Sequence, residues 1–138
     1  LKVVLAIGCF DPLHYGHLVH LQTARTLGDV LIVGVTVDDA IDKPGHPVFP
    51  LHQRIAMLQA LAIVDKVIPN RSVDETIRAI QPHVYVKGRE YEGCLPEQKL
   101  VESYGGEVVF THHDEASKIK SSAIMGYYKN DKQPLEPD

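Results

Sequence analysis

The chain has 138 residues, 44 % apolar and 23 % charged, which makes one ordinary globular domain and excludes overall disorder. Fourteen basic against eighteen acidic residues leave a net charge of −4, which argues against nucleic acid or an anionic membrane as the partner. No apolar run approaches the ~20 residues of a membrane span, and no charged-then-apolar leader precedes the first strand, so neither an anchor nor a targeting segment is expected. The two cysteines, Cys9 and Cys94, fit no Cys-x-x-Cys pattern and read as reduced thiols, so the expected compartment is the cytoplasm.

Strands and helices alternate along the chain. Residues 2–7 (KVVLAI) are a nearly unbroken apolar run ending at Gly8, the pattern of a strand buried on both faces. Residues 16–27 predict a helix with Leu18, Leu21, Ala24 and Leu27 on its apolar stripe and Gly28 as its C-terminal cap. Residues 30–37 (VLIVGVTV) predict a second buried strand. Pro44, Gly45, Pro47 and Pro50 make 38–50 a loop. Leu51, Ile55, Leu58, Leu61 and Ala62 then line one face of an amphipathic helix. Residues 64–68 predict a short strand closed by Pro69-Asn70. Ser72-Val73-Asp74-Glu75 matches a capping box, with Val73, Ile77 and Ile80 facing inward until Pro82 stops the helix. A strand over 83–86 ends in Lys87-Gly88, a helix over 96–104 ends at Gly105-Gly106, and 107–111 (EVVFT) predict a fifth strand. Residues 121–128 predict a last helix, and 129–138 a tail or linker, leaving one domain over 1–128. This is the α/β class: a Rossmann-like, doubly wound parallel sheet of about five strands. Ligands of such sheets sit beyond the carboxyl ends of the strands.

The first such loop, Gly8-Cys9-Phe10-Asp11-Pro12-Leu13-His14-Tyr15-Gly16-His17, contains neither Gly-x-Gly-x-x-Gly nor a P-loop. Free N–H groups and the positive end of a helix dipole still make it a place for phosphate. His14 and His17, three apart at the helix start, lie on one side of its first turn, and Gly16 between them leaves room for a ligand. Two imidazole donors aimed at one anion suit a phosphorus centre that gains charge. One histidine in the core and the other on the surface is the bland alternative for the pair. A zinc site built on His14, His17 and His20 lacks a carboxylate or thiolate at helical spacing, apart from Cys9, and ranks below phosphate binding.

His-x-Gly-His after a Gly-x-Phe-Asp turn resembles the nucleotidyltransferase superfamily, which moves a nucleoside monophosphate from a triphosphate to a phosphorylated acceptor. The resemblance extends from Leu1 to about Tyr128. It implies catalytic roles for His14, His17, Lys43 in the loop after the second strand, and Arg54 at the start of the next helix. Physically, Lys43 is a point charge on a mobile loop, and Arg54 is expected on the polar side of its helix with a fork suited to pyrophosphate oxygens. Surface salt bridging is the plain alternative for both. Nucleotide contacts are implied for Gly8, Cys9, Phe10, Asp11, Gly16, Lys87, Gly88, Ser121 and Ser122. The two serines stand in Ile119-Lys120-Ser121-Ser122-Ala123-Ile124, similar to the family's Ile-Ser-Ser/Thr-Thr-x-Ile motif, with Lys120 departing from it. Plain N-capping accounts for one of them. Asp11 orients a metal ion or fixes its loop, the second reading being preferred.

Lys87-Gly88-Arg89-Glu90-Tyr91 and Gly105-Gly106-Glu107-Val108-Val109 look most like sugar-phosphate adenylyltransferases of the heptose type, though those carry Gly-Asp-Tyr where this chain has Arg89-Glu90-Tyr91. Asp38, Lys43 and Val64-Asp65 also resemble glycerol-3-phosphate cytidylyltransferases, and Pro12 the pantetheine-phosphate and nicotinamide-mononucleotide enzymes, ranked third. The expected reaction takes ATP or CTP and a small phosphorylated acceptor, releases pyrophosphate, and uses Mg²⁺ carried by the triphosphate, with no protein metal site. No Ser/His/Asp or Cys/His nucleophile is present to assign. A nucleotide-binding module without turnover is the rival from another class. Family members are commonly dimeric, which makes a homodimer the expected assembly, with 64–67 a candidate contributor.

Overall fold

The structure, a computed structural model, describes residues 1–112. The predicted last helix, the tail, Ser121 and Ser122 lie outside the described residues. Five parallel strands form one sheet in the order β3-β2-β1-β4-β5. They are β1 (Val3–Gly8), β2 (Val30–Thr36), β3 (Lys66–Asn70), β4 (Val84–Gly88) and β5 (Glu107–Thr111). Four helices connect them: α1 (Tyr15–Arg25), α2 (Leu51–Gln59), α3 (Val73–Ile80) and α4 (Gln98–Ser103). The expected α/β sheet with helices on both faces is what the chain forms.

Alternation along the strands splits the core in two. Val4, Ala6, Leu31, Val33, Val35, Val84 and Val86 face α1 and α2, where Leu21, Ala24 and Leu58 meet them. Leu5, Ile7, Ile32 and Tyr85 face the other way, onto Ile77 of α3 and Val101 of α4. β1 and β2 are apolar on both faces because both are covered, which is why their sequences read as runs rather than as alternation.

Three local expectations are corrected. Pro69-Asn70 does not close β3 but belongs to it, with Pro69 opposite Val35. β3 is the edge strand, so a residue without an N–H breaks no ladder on its outer side. Gly28 is not the cap of α1, whose C-cap is Thr26. A Cβ at Gly28 would lie 2.7 Å from the Lys2 carbonyl oxygen, so this glycine lets the α1–β2 turn pass close to the start of β1. The loop 38–50 contains a short 3₁₀ turn, Asp38–Ala40, and a second one, Arg89–Tyr91, follows β4.

The chain runs from β1 outward to β2 and β3, then crosses back to place β4 on the other side of β1. The strand order thus reverses between β1 and β4, and open α/β sheets bind ligands at the carboxyl ends of the strands at such a point.

Candidate active site

His14 is the N-cap of α1, and its partner three residues on is His17. The His14 Nδ1 accepts the backbone N–H of His17 at 3.4 Å, and the His17 Nδ1 accepts that of His14 at 3.2 Å. Two imidazoles here form the reciprocal capping box usually made by Ser or Thr with Glu. The rings stack with centroids 3.7 Å apart and 19° between their planes. Because both Nδ1 atoms accept from backbone N–H groups, the proton of each neutral ring sits on Nε2. With both Nδ1 atoms engaged by the backbone, the two Nε2–H groups are the donors the rings have left for a ligand. Phe10, in the left-handed region at φ 50°, sets its ring edge-on to His17 with centroids 5.0 Å apart. Burial pushes the His17 pKa down to about 3, helped by the neighbouring His14, His20 and Lys43, and burial also lowers that of His14. Both are neutral donors at neutral pH.

Asp11 takes the place preferred for it, and Arg54 a different one from that expected. The Asp11 side chain is buried, its carboxylate accepting the N–H groups of Val48 and Phe49 at 2.7 and 2.9 Å and meeting His46 Nδ1 at 2.7 Å. Burial raises its pKa, but these three partners outweigh that and hold it below the ordinary carboxylate range. Asp11 therefore fixes the first loop to the loop before α2, the preferred of its two readings. Arg54 does not lie on the polar side of α2. It is 2 % exposed, and its guanidinium donates to the carbonyls of Phe49, Cys9 and Thr36 and to the Asp38 carboxylate. Four of the five N–H donors of an arginine are thus spent on the chain. Arg54 clamps the carboxyl ends of β1 and β2 together.

Lys43 is exposed, yet its charge reaches His17. Lys43 and the histidines form one group on the α1–α2 side of the sheet. His20, one turn further along α1, meets Thr111 Oγ1 at the end of β5 at 2.9 Å. Gly16 is buried within α1. The Gly8 carbonyl takes the Thr36 hydroxyl at 3.3 Å, and a Cβ at Gly8 would press on the Phe10 ring at 3.1 Å.

Lys87 stands apart from that group. It shares the Tyr85 face of β4, toward α3 and α4, and its ammonium lies 4.5 Å from the centroid of the Tyr91 ring. Burial lowers its pKa, against the opposing pull of Glu97, Glu90 and Cys9. The Tyr85 hydroxyl donates to Glu97 at 2.8 Å. Gly88 lets the Glu90 carboxylate fold back against the end of β4, where a Cβ would collide with it. Cys9 and Cys94 are free thiols. Among the described residues, no three His, Cys, Asp or Glu side chains group to hold a metal ion, and no helix is long and apolar enough to cross a membrane.

Sequence reasoning missed His46, Thr111, Tyr85, Glu97 and Tyr91 as partners of the site. Each acts through a contact that only folding creates, such as the 35 residues between Asp11 and His46.

A parallel α/β sheet with a pair of donor imidazoles at the first strand-to-helix turn defines the class of nucleotide-binding domains to which the first loop pointed. The chain belongs to the cytidylyltransferase-like family, whose model matches residues 5–126. It is 43 % identical over 113 residues to the bifunctional protein HldE of Streptomyces coelicolor, covering 78 % of this chain and 24 % of that protein. It is 39 % identical over 126 residues to HldE of Alcanivorax borkumensis, covering 86 % of this chain and 26 % of the relative. The chain thus spans about a quarter of the length of these curated relatives. The lipopolysaccharide core biosynthesis protein from Thermoplasma volcanium superposes with a TM-score of 0.69 at 29 % identity, over 82 % of this chain and 98 % of that one. Pantothenate synthetase from Thermus thermophilus shares the fold, with a TM-score of 0.66 at 18 % identity over 90 % of this chain and 61 % of that one. The resemblance to nucleotidyltransferases read from the His-x-Gly-His turn is borne out by these matches.

Proposed function

We propose that the domain is a nucleotidyltransferase that moves the adenylyl group of ATP to a sugar phosphate of the heptose 1-phosphate type, releasing pyrophosphate. The observation that carries this reading is the stacked His14–His17 pair, two neutral imidazoles whose Nδ1 atoms are engaged by the backbone and whose Nε2–H donors are left for a ligand at the turn after the central strand. The relatives' shared identity as HldE and the Thermoplasma neighbour's role in lipopolysaccharide core biosynthesis favour a sugar-phosphate acceptor.

The reaction is an in-line displacement. An oxygen of the acceptor phosphate forms a bond to the α-phosphorus, and the bond from that phosphorus to the pyrophosphate oxygen breaks. With a second pKa of about 6, the attacking phosphate is already ionised near neutral pH and needs no general base. The two Nε2–H groups donate to the α-phosphoryl and bridging oxygens as charge builds on them. A neutral donor pair gives no proton away, which suits a reaction that transfers none. Lys43 draws the departing pyrophosphate from the β2 side, and the hydroxyls of Ser121 and Ser122 bind it as well. The nucleotide substrate is the magnesium complex of the triphosphate. The Asp11 carboxylate is already occupied by Val48, Phe49 and His46, so the ion is held through the nucleotide's own oxygens.

The test is a matrix of magnesium ATP or CTP against heptose 1-phosphate and glycerol 3-phosphate, following pyrophosphate and the nucleotide-linked product. ATP with the sugar 1-phosphate should give the highest kcat/KM. Turnover confined to CTP and glycerol 3-phosphate would reassign the substrates. Triphosphate binding without pyrophosphate under every acceptor would make the domain a binding module.

A further inference from the structure

Helix α1 carries a third histidine, which the nucleotidyl transfer does not use. His20 lies three residues beyond His17, one turn further along the same side of the helix. Its Nδ1 meets the Thr111 hydroxyl at 2.9 Å, and that hydroxyl donates to the Lys87 carbonyl at 3.4 Å. Thr111 is buried at the last position of β5, on the face where Val109 packs toward α1 and α2. In the register it stands opposite Gly88. The three groups therefore connect the second turn of α1 with the carboxyl ends of β4 and β5. Different bonds tie the first loop to the other half of the sheet: Arg54 holds the Cys9 and Thr36 carbonyls, and the Thr36 hydroxyl holds that of Gly8. Leu21 and Ala24 seat α1 on the sheet, but apolar burial has no direction and does not by itself fix the roll of a helix about its axis. A hydrogen bond prescribes both distance and angle, so the one from His20 fixes what packing leaves open.

We propose that His20 is a positioning residue whose hydrogen bond to Thr111 sets the roll of α1, and with it the place of the His14–His17 donors relative to the ends of β4 and β5. This rests on the nucleotidyl-transfer reading. His20 reaches no reacting atom in this role; it acts through the helix it shares with His17. The donors stabilise charge that builds at the phosphorus, and such stabilisation falls steeply with misplacement, an error of about 1 Å costing up to about 10²-fold in rate. Substrate binding is spread over many groups and depends less on this alignment, so the loss falls on kcat rather than on KM.

Two substitutions of Thr111 in the full chain test this. Thr111→Val keeps the β-branched shape and deletes the hydroxyl, whereas Thr111→Ser keeps the hydroxyl. Thr111→Val should lower kcat about tenfold with KM for ATP within about twofold of wild type, and Thr111→Ser should keep kcat within about twofold. His20→Phe, which retains a ring without its nitrogens, should match Thr111→Val. The double variant should be no slower than either, because both changes remove one bond. A wild-type kcat in Thr111→Val, or losses that multiply in the double variant, overturns the proposal. A role in packing alone would lower thermal stability in His20→Phe and leave kcat unchanged in Thr111→Val. Where His20→Phe does not fold, the Thr111 pair decides by itself. The imidazole nitrogen resonances, assigned with His20→Phe and His17→Asn, read the link without turnover. In Thr111→Val the His20 Nδ1 signal should move together with those of His14 and His17, while Thr111→Ser leaves all of them in place. Such movements in a protein that turns nothing over would leave the link standing and defeat the reading of the reaction. Unmoved His14 and His17 signals with a wild-type kcat in an active enzyme would do the reverse.

Discussion

On the α1–α2 side of the sheet, the polar side chains at the carboxyl end of β1 are tied to the chain itself. Arg54 spends four donors on protein oxygens, Asp11 accepts from two backbone N–H groups and meets His46, and each histidine of the pair accepts the other's backbone N–H. On the α3–α4 side, the Lys87 ammonium lies on the Tyr91 ring, and among the described residues no protein oxygen pairs with it. The first side is a preorganised frame held by its own hydrogen bonds; the second carries an ammonium on an aromatic ring. Catalysis by charge stabilisation needs groups that do not reorganise during the reaction. The contrast divides the labour of the site, and substitutions on each side should separate stability from turnover.

The largest effect is expected at Arg54. Arg54→Met should destabilise the fold by about 4 kcal/mol, because three carbonyls and Asp38 lose charge-assisted donors at once. Arg54→Lys should restore little, since one ammonium does not span four acceptors. Chemical denaturation of both variants measures it; wild-type stability with lost turnover would instead place the guanidinium on substrate. His17→Asn comes next. Asn keeps an acceptor for the His14 N–H while deleting the outward Nε2–H, so kcat should fall about 10²–10³-fold with the melting temperature nearly kept. Rate loss matched by unfolding would return the pair to a capping role alone. Asp11→Asn should cost about 2 kcal/mol, read from the denaturation midpoint, because the neutral amide accepts less strongly from Val48 and Phe49.

These predictions also mark what the sequence made legible. The five strands, their parallel arrangement and the placing of His14 and His17 on one side of a helical turn follow from apolar runs and from a spacing of three, both local signals. Arg54 was legible as a residue of the first loop's neighbourhood and not in its role. On a helical projection it falls between Leu58 and Leu61, so its burial follows from the apolar stripe of α2, whereas its acceptors come from the ends of β1 and β2 and from the loop between β2 and α2, which only folding brings together. Gly28 read as a cap because a glycine after a helix usually is one; the close passage of Lys2 that requires it is a contact between segments 26 residues apart. Pro69 read as a strand end because whether a strand lies at an edge depends on strand order, which no single strand carries.

The smallest effect belongs to the histidine pair's proton equilibrium and tests how rigidly the frame holds. His17 titrates near 6.5 when unfolded and at about 3 in the fold, chiefly because burial disfavours the imidazolium, with His14, His20 and Lys43 adding to it. As pH falls below about 6.5, the unfolded chain takes up a proton that the folded one refuses, so stability declines toward pH 3. Wild type should lose stability about 1 kcal/mol per pH unit faster than His17→Asn between pH 6 and 4. Denaturation midpoints of the two proteins across that interval measure the difference. Over the same interval His17 itself stays neutral in the fold, so its donor remains in place and should add no limb of its own to the kcat profile. A limb near pH 6.5 that disappears in His17→Asn would mean that the ring is hydrated and free to charge, and the frame on the α1–α2 side would be looser than its hydrogen bonds imply.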